Sequence, residues 1–198
     1  FFPDFSLFGI TYSLPPVEVK GRPFLDMLWN GAGYGVFAFV VAWLSVRKPD
    51  YSMWIQTIPY FFAVAAVFVN TTIPDIKGDR EEGKITTGVF LGRERTLILA
   101  VILDIVSIIF SLVVMDYICL SASVLALPVF LIAAFKKEKK LILLSIRATA
   151  GILFIAVLII SPIIIPFFLT VIFLQKVYYR KKFDINYPSV FSGADREF

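Results

Sequence analysis

Asp75 and Asp79 stand four residues apart in the string Pro74-Asp75-Ile76-Lys77-Gly78-Asp79-Arg80-Glu81-Glu82-Gly83-Lys84, where seven of the ten residues from Asp75 to Lys84 are charged. On a helix the two carboxylates share one face and repel each other unless a cation sits between them. Arg80 and Lys84 repeat the spacing with the opposite sign. The chain has no histidine, which excludes imidazole-bound zinc, histidine-held haem and Ser-His catalysis. Oxygen donors alone favour a hard cation such as Mg²⁺, bridged to phosphate oxygens that Arg80 and Lys84 also hold. Gly78 and Gly83 permit a tight chain path there. Taken alone, the Asp-x-x-x-Asp pair reads equally well as an acidic loop between membrane helices.

The elements that must carry these residues are apolar. Of 198 residues, 59% are hydrophobic, 16% aromatic and only 17% charged, and the mean hydropathy is +0.84. Long apolar runs exclude a disordered chain and a nucleic-acid reader, although the isoelectric point is about 9.2. The single cysteine, Cys119, lies in an apolar run; no intrachain disulfide is possible, and a packing role is expected. The expected fold is all-α, a polytopic bundle forming one membrane domain over residues 1–198. Its crossings are expected at about 24–46, 53–73, 96–115, 117–135, 141–160 and 163–178, each near the roughly 20 residues a bilayer requires.

With six crossings the loops alternate cleanly. One side receives the 15–23 turn, the 75–95 loop, the 136–140 loop and the C-terminal tail, together holding 16 of the 19 Lys and Arg residues. The excess of positive charge makes that side cytoplasmic. The basic runs at 136–140 and 180–182 read as solvated loops that fix orientation, the second also able to touch anionic lipid. The chain begins Phe1-Phe2-Pro3, without the basic start of a signal peptide, and is expected to begin partway through something larger.

The full string from Ile73 to Gly92 is similar to the second aspartate-rich motif of the UbiA superfamily of intramembrane prenyltransferases. That motif runs Asp-x-x-Gly-Asp-Arg-x-x-Gly, then a Thr, then a Val-x-Leu-Gly-like ending. Tyr12-Ser13-Leu14-Pro15-Pro16-Val17-Glu18-Val19-Lys20-Gly21-Arg22-Pro23, followed by Leu25-Asp26 and Asn30, resembles the family's Tyr-x-x-Pro-Pro and Lys-x-x-Pro element. The tail from Tyr178 through Tyr187-Pro188 looks like tails of prokaryotic members. The resemblance implies a helix bundle around a cavity open toward lipid. It also implies Mg²⁺-dependent transfer of a prenyl group from an isoprenyl diphosphate to a lipophilic, often aromatic, acceptor. In that frame Asp75 and Asp79 hold the metal, and Lys20, Arg22, Arg80 and Lys84 neutralise the diphosphate. Tyr12, Asp26, Asn30 and Asn70 line the cavity. Tyr12, Tyr34, Tyr60 and Phe61 are candidates for shielding a carbocation, with packing the favoured reading in so aromatic a chain.

Two departures from the family pattern stand out. The first aspartate-rich motif is absent, so the chain reads as the C-terminal two-thirds of an enzyme, and the isolated fragment is expected to be inactive. Thr72 stands where many members carry a further Asp; Asn70 and Thr72 are candidate neutral oxygen donors in its place. Gly31, Gly33 and Gly35 read as close helix packing. Asp104 and Arg147 are the deepest charges, both about 10–14 Å from the charged side at 1.5 Å per residue, which predicts a structural ion pair between the third and fifth crossings. A transporter or structural membrane protein built on that pair is the alternative from another class. A phosphatidyl-alcohol transferase is disfavoured, since no Asp-Gly-x-x-Ala-Arg element occurs. The sequence leaves oligomeric state, prenyl chain length and acceptor open.

Overall fold

A computed structural model describes residues 5–13 and 18–184. The Pro15-Pro16 pair and the tail from 185, with Tyr187-Pro188, lie outside the described residues. Every regular element described is helical. Helix α1 is Phe5–Ser13, and a single 3₁₀ turn covers Val19–Gly21. Helix α2 spans Leu25–Leu44 and is π-helical over Gly31–Phe37. Helices α3 (Tyr51–Glu81), α4 (Thr87–Val114), α5 (Tyr117–Lys136), α6 (Lys139–Ile160) and α7 (Ile164–Phe183) follow. Among the described residues, α2, α3, α4 and α5 are long and apolar enough to cross a membrane. The other two expected crossings fall on α6 and α7.

Helix boundaries follow local chemistry. Asp50 caps α3 by accepting from the Met53 amide at 2.8 Å, and Asp116 caps α5 by accepting from the amides of Ile118 and Cys119. Such side chains satisfy amides that a helix start leaves unpaired. Met115 ends α4 and Lys137 ends α5 in left-handed conformation. Pro59 and Pro74 lie inside α3 without ending it; in a bundle, neighbouring groups meet the carbonyls they release. Ser107 of α4 adds a tie to this part of α3 by donating to the Pro59 carbonyl itself at 2.9 Å.

The chain forms two compact units, the first ending at Leu153 and the second beginning at Phe154. The core of the first unit is built from small residues. Ala65, Ala66 and Val69 of α3 pack with Ala100 and Leu103 of α4, Ala126 and Phe130 of α5 and Met27 of α2. A second cluster joins Ile73, Leu97, Ala133 and Ile142. Small side chains let helices approach closely where lipid offers no hydrophobic drive to association. Gly31 and Gly35 show this most sharply: a Cβ on Gly35 would stand 2.8 Å from the Phe61 Cα and from the Tyr60 carbonyl oxygen. The outer face of α4 exposes Ile98, Ile102, Ile105, Ile109 and Leu112, a lipid-facing stripe at helical spacing. In the second unit, Phe154 and Phe168 pack with ring centroids 4.4 Å apart.

Candidate active site

Helix α3 runs past its apolar stretch to Glu81, so Asp75 and Asp79 lie on one helical face. Asp75 is exposed and Asp79 half-buried, and Asp79 lies within electrostatic reach of both Asp75 and Asp26. A tight turn closes α3: the Lys84 amide donates to the Asp79 carbonyl at 2.8 Å, and Gly83 takes φ 73°, a conformation suited to glycine. The chain then lies against the Val19–Gly21 turn. The Ile85 amide donates to the Gly21 carbonyl at 3.2 Å, and a Cβ on Gly21 would stand 3.8 Å from the Lys84 Cγ. Lys20 and Lys84, 64 positions apart in the sequence, thereby join one charged rim.

That rim is internally compensated. Lys84 pairs with Glu82, and Lys20 lies 3.8 Å from Glu18. The hydrogen bond from Lys84 holds the Glu82 carboxyl below its ordinary range, and the same bond holds the Lys84 ammonium above its own. Lys84 also feels Asp79 and Glu18. Arg22 and Arg80 are exposed at the same rim.

The start of α4 closes the site. Thr86 is its N-cap; the hydroxyl accepts from the Val89 amide and donates to Asp79 Oδ2 at 3.0 Å. Thr87, fully buried, donates its hydroxyl to Asp26 Oδ1 and its amide to Asp26 Oδ2 at 2.8 Å. The Thr87 hydroxyl in turn accepts from the Phe24 amide at 2.8 Å, and the Met27 amide donates to Asp26 Oδ1 at 2.7 Å. Two carboxylates from distant segments thus meet the positive end of one helix. Gly88 completes the contact, since a Cβ there would stand 2.5 Å from the Thr72 hydroxyl oxygen.

The donor set at Asp75 and Asp79 suits a hard divalent cation. Among the described residues no third acidic, cysteine or histidine side chain joins them as a metal-holding group. A cation held there would complete its shell with phosphate oxygens and water, as Mg²⁺ commonly does.

A family model of UbiA prenyltransferases matches residues 5–141. The chain belongs to the UbiA prenyltransferase family. It is therefore part of an integral membrane protein of a transferase family whose members generally use a divalent metal. Similar proteins are the lycopene elongase/hydratase of Corynebacterium glutamicum, 28% identical over 94 residues, and that of Haloarcula japonica, 34% identical over 103 residues. The matches cover 48% and 44% of this chain but only 33% and 29% of those proteins, so the chain spans about a third of the curated relatives it matches. No solved structure gives a significant match.

Against this UbiA frame, several expected residues lie elsewhere. Tyr12 and Asn30 do line a cavity of about 250 Å³ with Gly9, Trp29, Gly33, Tyr34 and Phe37, and the Asn30 amide donates to the Tyr12 hydroxyl at 3.3 Å. Asp26, expected to line a cavity, is 1% exposed and turned onto Thr87 instead. Asn70 is likewise enclosed by protein and donates to Ser145 at 3.0 Å. Thr72 packs beneath Gly88 and donates to the Val69 carbonyl at 2.8 Å, so its hydroxyl is committed to its own helix. Tyr60 packs on Phe39 and hydrogen-bonds Asp116 at the other end of α3, and Phe61 fills the space beside Gly31.

The expected Asp104–Arg147 pair does not form. Asp104 is buried beside Ser123, one of its oxygens has no partner, and Arg147 is exposed. Asp104 faces the protein interior and Arg147 the outside. Thr86 and Thr87, which hold Asp79 and Asp26, were left unassigned by sequence reasoning. Their signal was a hydroxyl residue placed where a helix must begin.

Proposed function

We propose that the protein transfers a prenyl group from an isoprenyl diphosphate to a lipophilic acceptor within the membrane, with Mg²⁺ at the diphosphate. The observation that carries this reading is the assembly of Asp75 and Asp79 on one face at the end of α3, beside Lys20 and Lys84. Bound Mg²⁺ would supply positive charge at the leaving diphosphate. Asp75 and Asp79 would hold it, while Lys20, Arg22, Arg80 and Lys84 bind the diphosphate oxygens. Lys84 and Lys20 also pair with Glu82 and Glu18. Cleavage of the C–O bond leaves its electron pair on the diphosphate. A new C–C bond forms as the acceptor attacks and then loses a proton. The apolar bundle keeps water from the carbocation.

The relatives' names point to an acceptor of the lycopene kind, an apolar polyene, and the almost wholly apolar helices suit such a substrate. The reading places the rim and the C-terminus in the cytoplasm and treats α6 and α7 as the fifth and sixth crossings. The transporter alternative depended on an Asp104–Arg147 pair that does not form. The test uses the protein expressed from its full reading frame, in membranes, with a radiolabelled isoprenyl diphosphate and lycopene. Asp75→Ala and Asp79→Ala are expected to lower turnover about 100-fold or more; unchanged turnover in both would overturn the assignment.

A further inference from the structure

The carboxylate of Asp26 is an expensive object to bury. It lies 1% exposed in the crossing helix α2, where a charge is stable only if its lone pairs are met. They are met by three donors: the Met27 amide beside it, and the amide and hydroxyl of Thr87, 61 residues away. Thr87 is the first residue of α4, and the residue before it, Thr86, holds Asp79 Oδ2 at 3.0 Å. A continuous chain of hydrogen bonds and two adjacent residues therefore runs from Asp26 to one oxygen of Asp79. The amide of Phe24 holds the same Thr87 hydroxyl from the other side, so the hydroxyl cannot turn away without breaking that bond as well.

The consequence concerns Asp79. With Oδ2 accepting from the Thr86 hydroxyl, the Asp79 carboxylate is oriented from the α4 side, and its remaining lone pairs are free to hold a cation. Outer partners of this kind orient ligating carboxylates and raise affinity for the metal. We propose that Asp26 is a positioning residue for the Asp75 and Asp79 site, acting through Thr87 and Thr86 to fix the orientation in which the Asp79 carboxylate would meet a divalent cation. The proposal rests on the reading of Asp75 and Asp79 as the metal and diphosphate site, and it assigns Asp26 no contact with substrate.

The test measures two quantities on the protein expressed from its full reading frame. One is the Mg²⁺ concentration giving half-maximal prenyl transfer. The other is the rise in Tm that Mg²⁺ with inorganic pyrophosphate produces in detergent. Thr86→Val, which keeps shape but loses the hydroxyl, is expected to raise the Mg²⁺ midpoint about tenfold and to diminish the Tm rise; Thr86→Ser should restore both. Asp26→Asn should move the midpoint in the same direction. Ser123→Ala, a buried change in the bundle interior, should leave the midpoint where it is. If Asp26→Asn and Thr86→Val lower Tm yet keep the wild-type midpoint, Asp26 is structural only and the proposal falls, while the site stands provided Asp75→Ala and Asp79→Ala are inactive. If those two alanine variants keep full activity with an unchanged Mg²⁺ midpoint, the site reading falls and takes the proposal with it.

Discussion

Two buried aspartates in neighbouring helices meet opposite conditions. Asp26, at the charged rim, accepts three hydrogen bonds, two of them from backbone amides. Asp104, inside the bundle, lies beside Ser123 and has one oxygen without a partner. The rim carboxylate sits where α2 and α4 both begin, and helix starts leave amides free. Halfway along α4 every amide is already used by the helix itself, so only side chains are on offer. The same limit explains why Asn70 Oδ1, also mid-helix, goes unpartnered. Buried polarity is thus cheap at the ends of membrane helices and costly along their shafts.

Glycine contacts give the largest expected effect. Gly35 in the shaft of α2 faces rigid backbone on two sides, at 2.8 Å from the Phe61 Cα and the Tyr60 carbonyl, whereas Gly88 at the rim faces the Thr72 hydroxyl first. Gly35→Ala should therefore destabilise by roughly 1–3 kcal/mol, and Gly88→Ala by a similar amount, because its Cβ would also stand 2.9 Å from the Thr72 carbonyl oxygen. Thermal unfolding in detergent checks both; a variant that keeps the wild-type Tm would show that its contact can relax.

Neutral replacement of the two aspartates comes next. In Asp26→Asn an amide group must face donors from Met27 and Thr87, and the loss should be roughly 2 kcal/mol by hydrogen-bond bookkeeping for a charged acceptor. In Asp104→Asn the Ser123 contact survives and a poorly met carboxyl is removed, so the change should stay within about 0.5 kcal/mol. Equal losses in denaturation midpoints would break the contrast.

The smallest effect lies at the opposite end of α3. Hydrogen bonds from Ser52 and the Met53 amide hold the Asp50 carboxyl below its ordinary value of 3.8. A folded value below the unfolded one means the cap stabilises above about pH 4, and that the contribution fades as pH falls through the folded value. Asp50→Ala should lower Tm slightly at pH 6, and the two proteins' Tm values should converge as the pH drops below 3.8. A gap that persists at low pH would show that the cap acts without its charge.

Much of the architecture was legible. Apolar runs located the helices, and four-residue spacing placed Asp75 and Asp79 on one face because α3 continues unbroken through Pro74 to Glu81. The glycines Gly31 and Gly35 announced close packing, and Phe61 supplies it. What sequence could not supply was the direction in which side chains face across long separations. Depth along a helix follows from counting residues, but facing depends on how neighbouring helices are rotated. Asp104 and Arg147 therefore matched in depth and missed in direction. Asp26 and Thr87, 61 residues apart, carried no local signal that joined them.

The break at Gly92 bears on how the enzyme tolerates its solvent. Gly92 takes φ 73° and ψ 165° inside α4, a backbone state open to glycine and almost nothing else. It divides the short stretch 87–91, which carries the rim contacts, from the long shaft 93–114. Bilayers of different thickness tilt a crossing shaft, and a rigid rod would lever its own tip as it leaned. The bend at Gly92 aims 87–91 along a line of its own, so the grip on Asp26 and Asp79 is not dictated by the direction of the shaft.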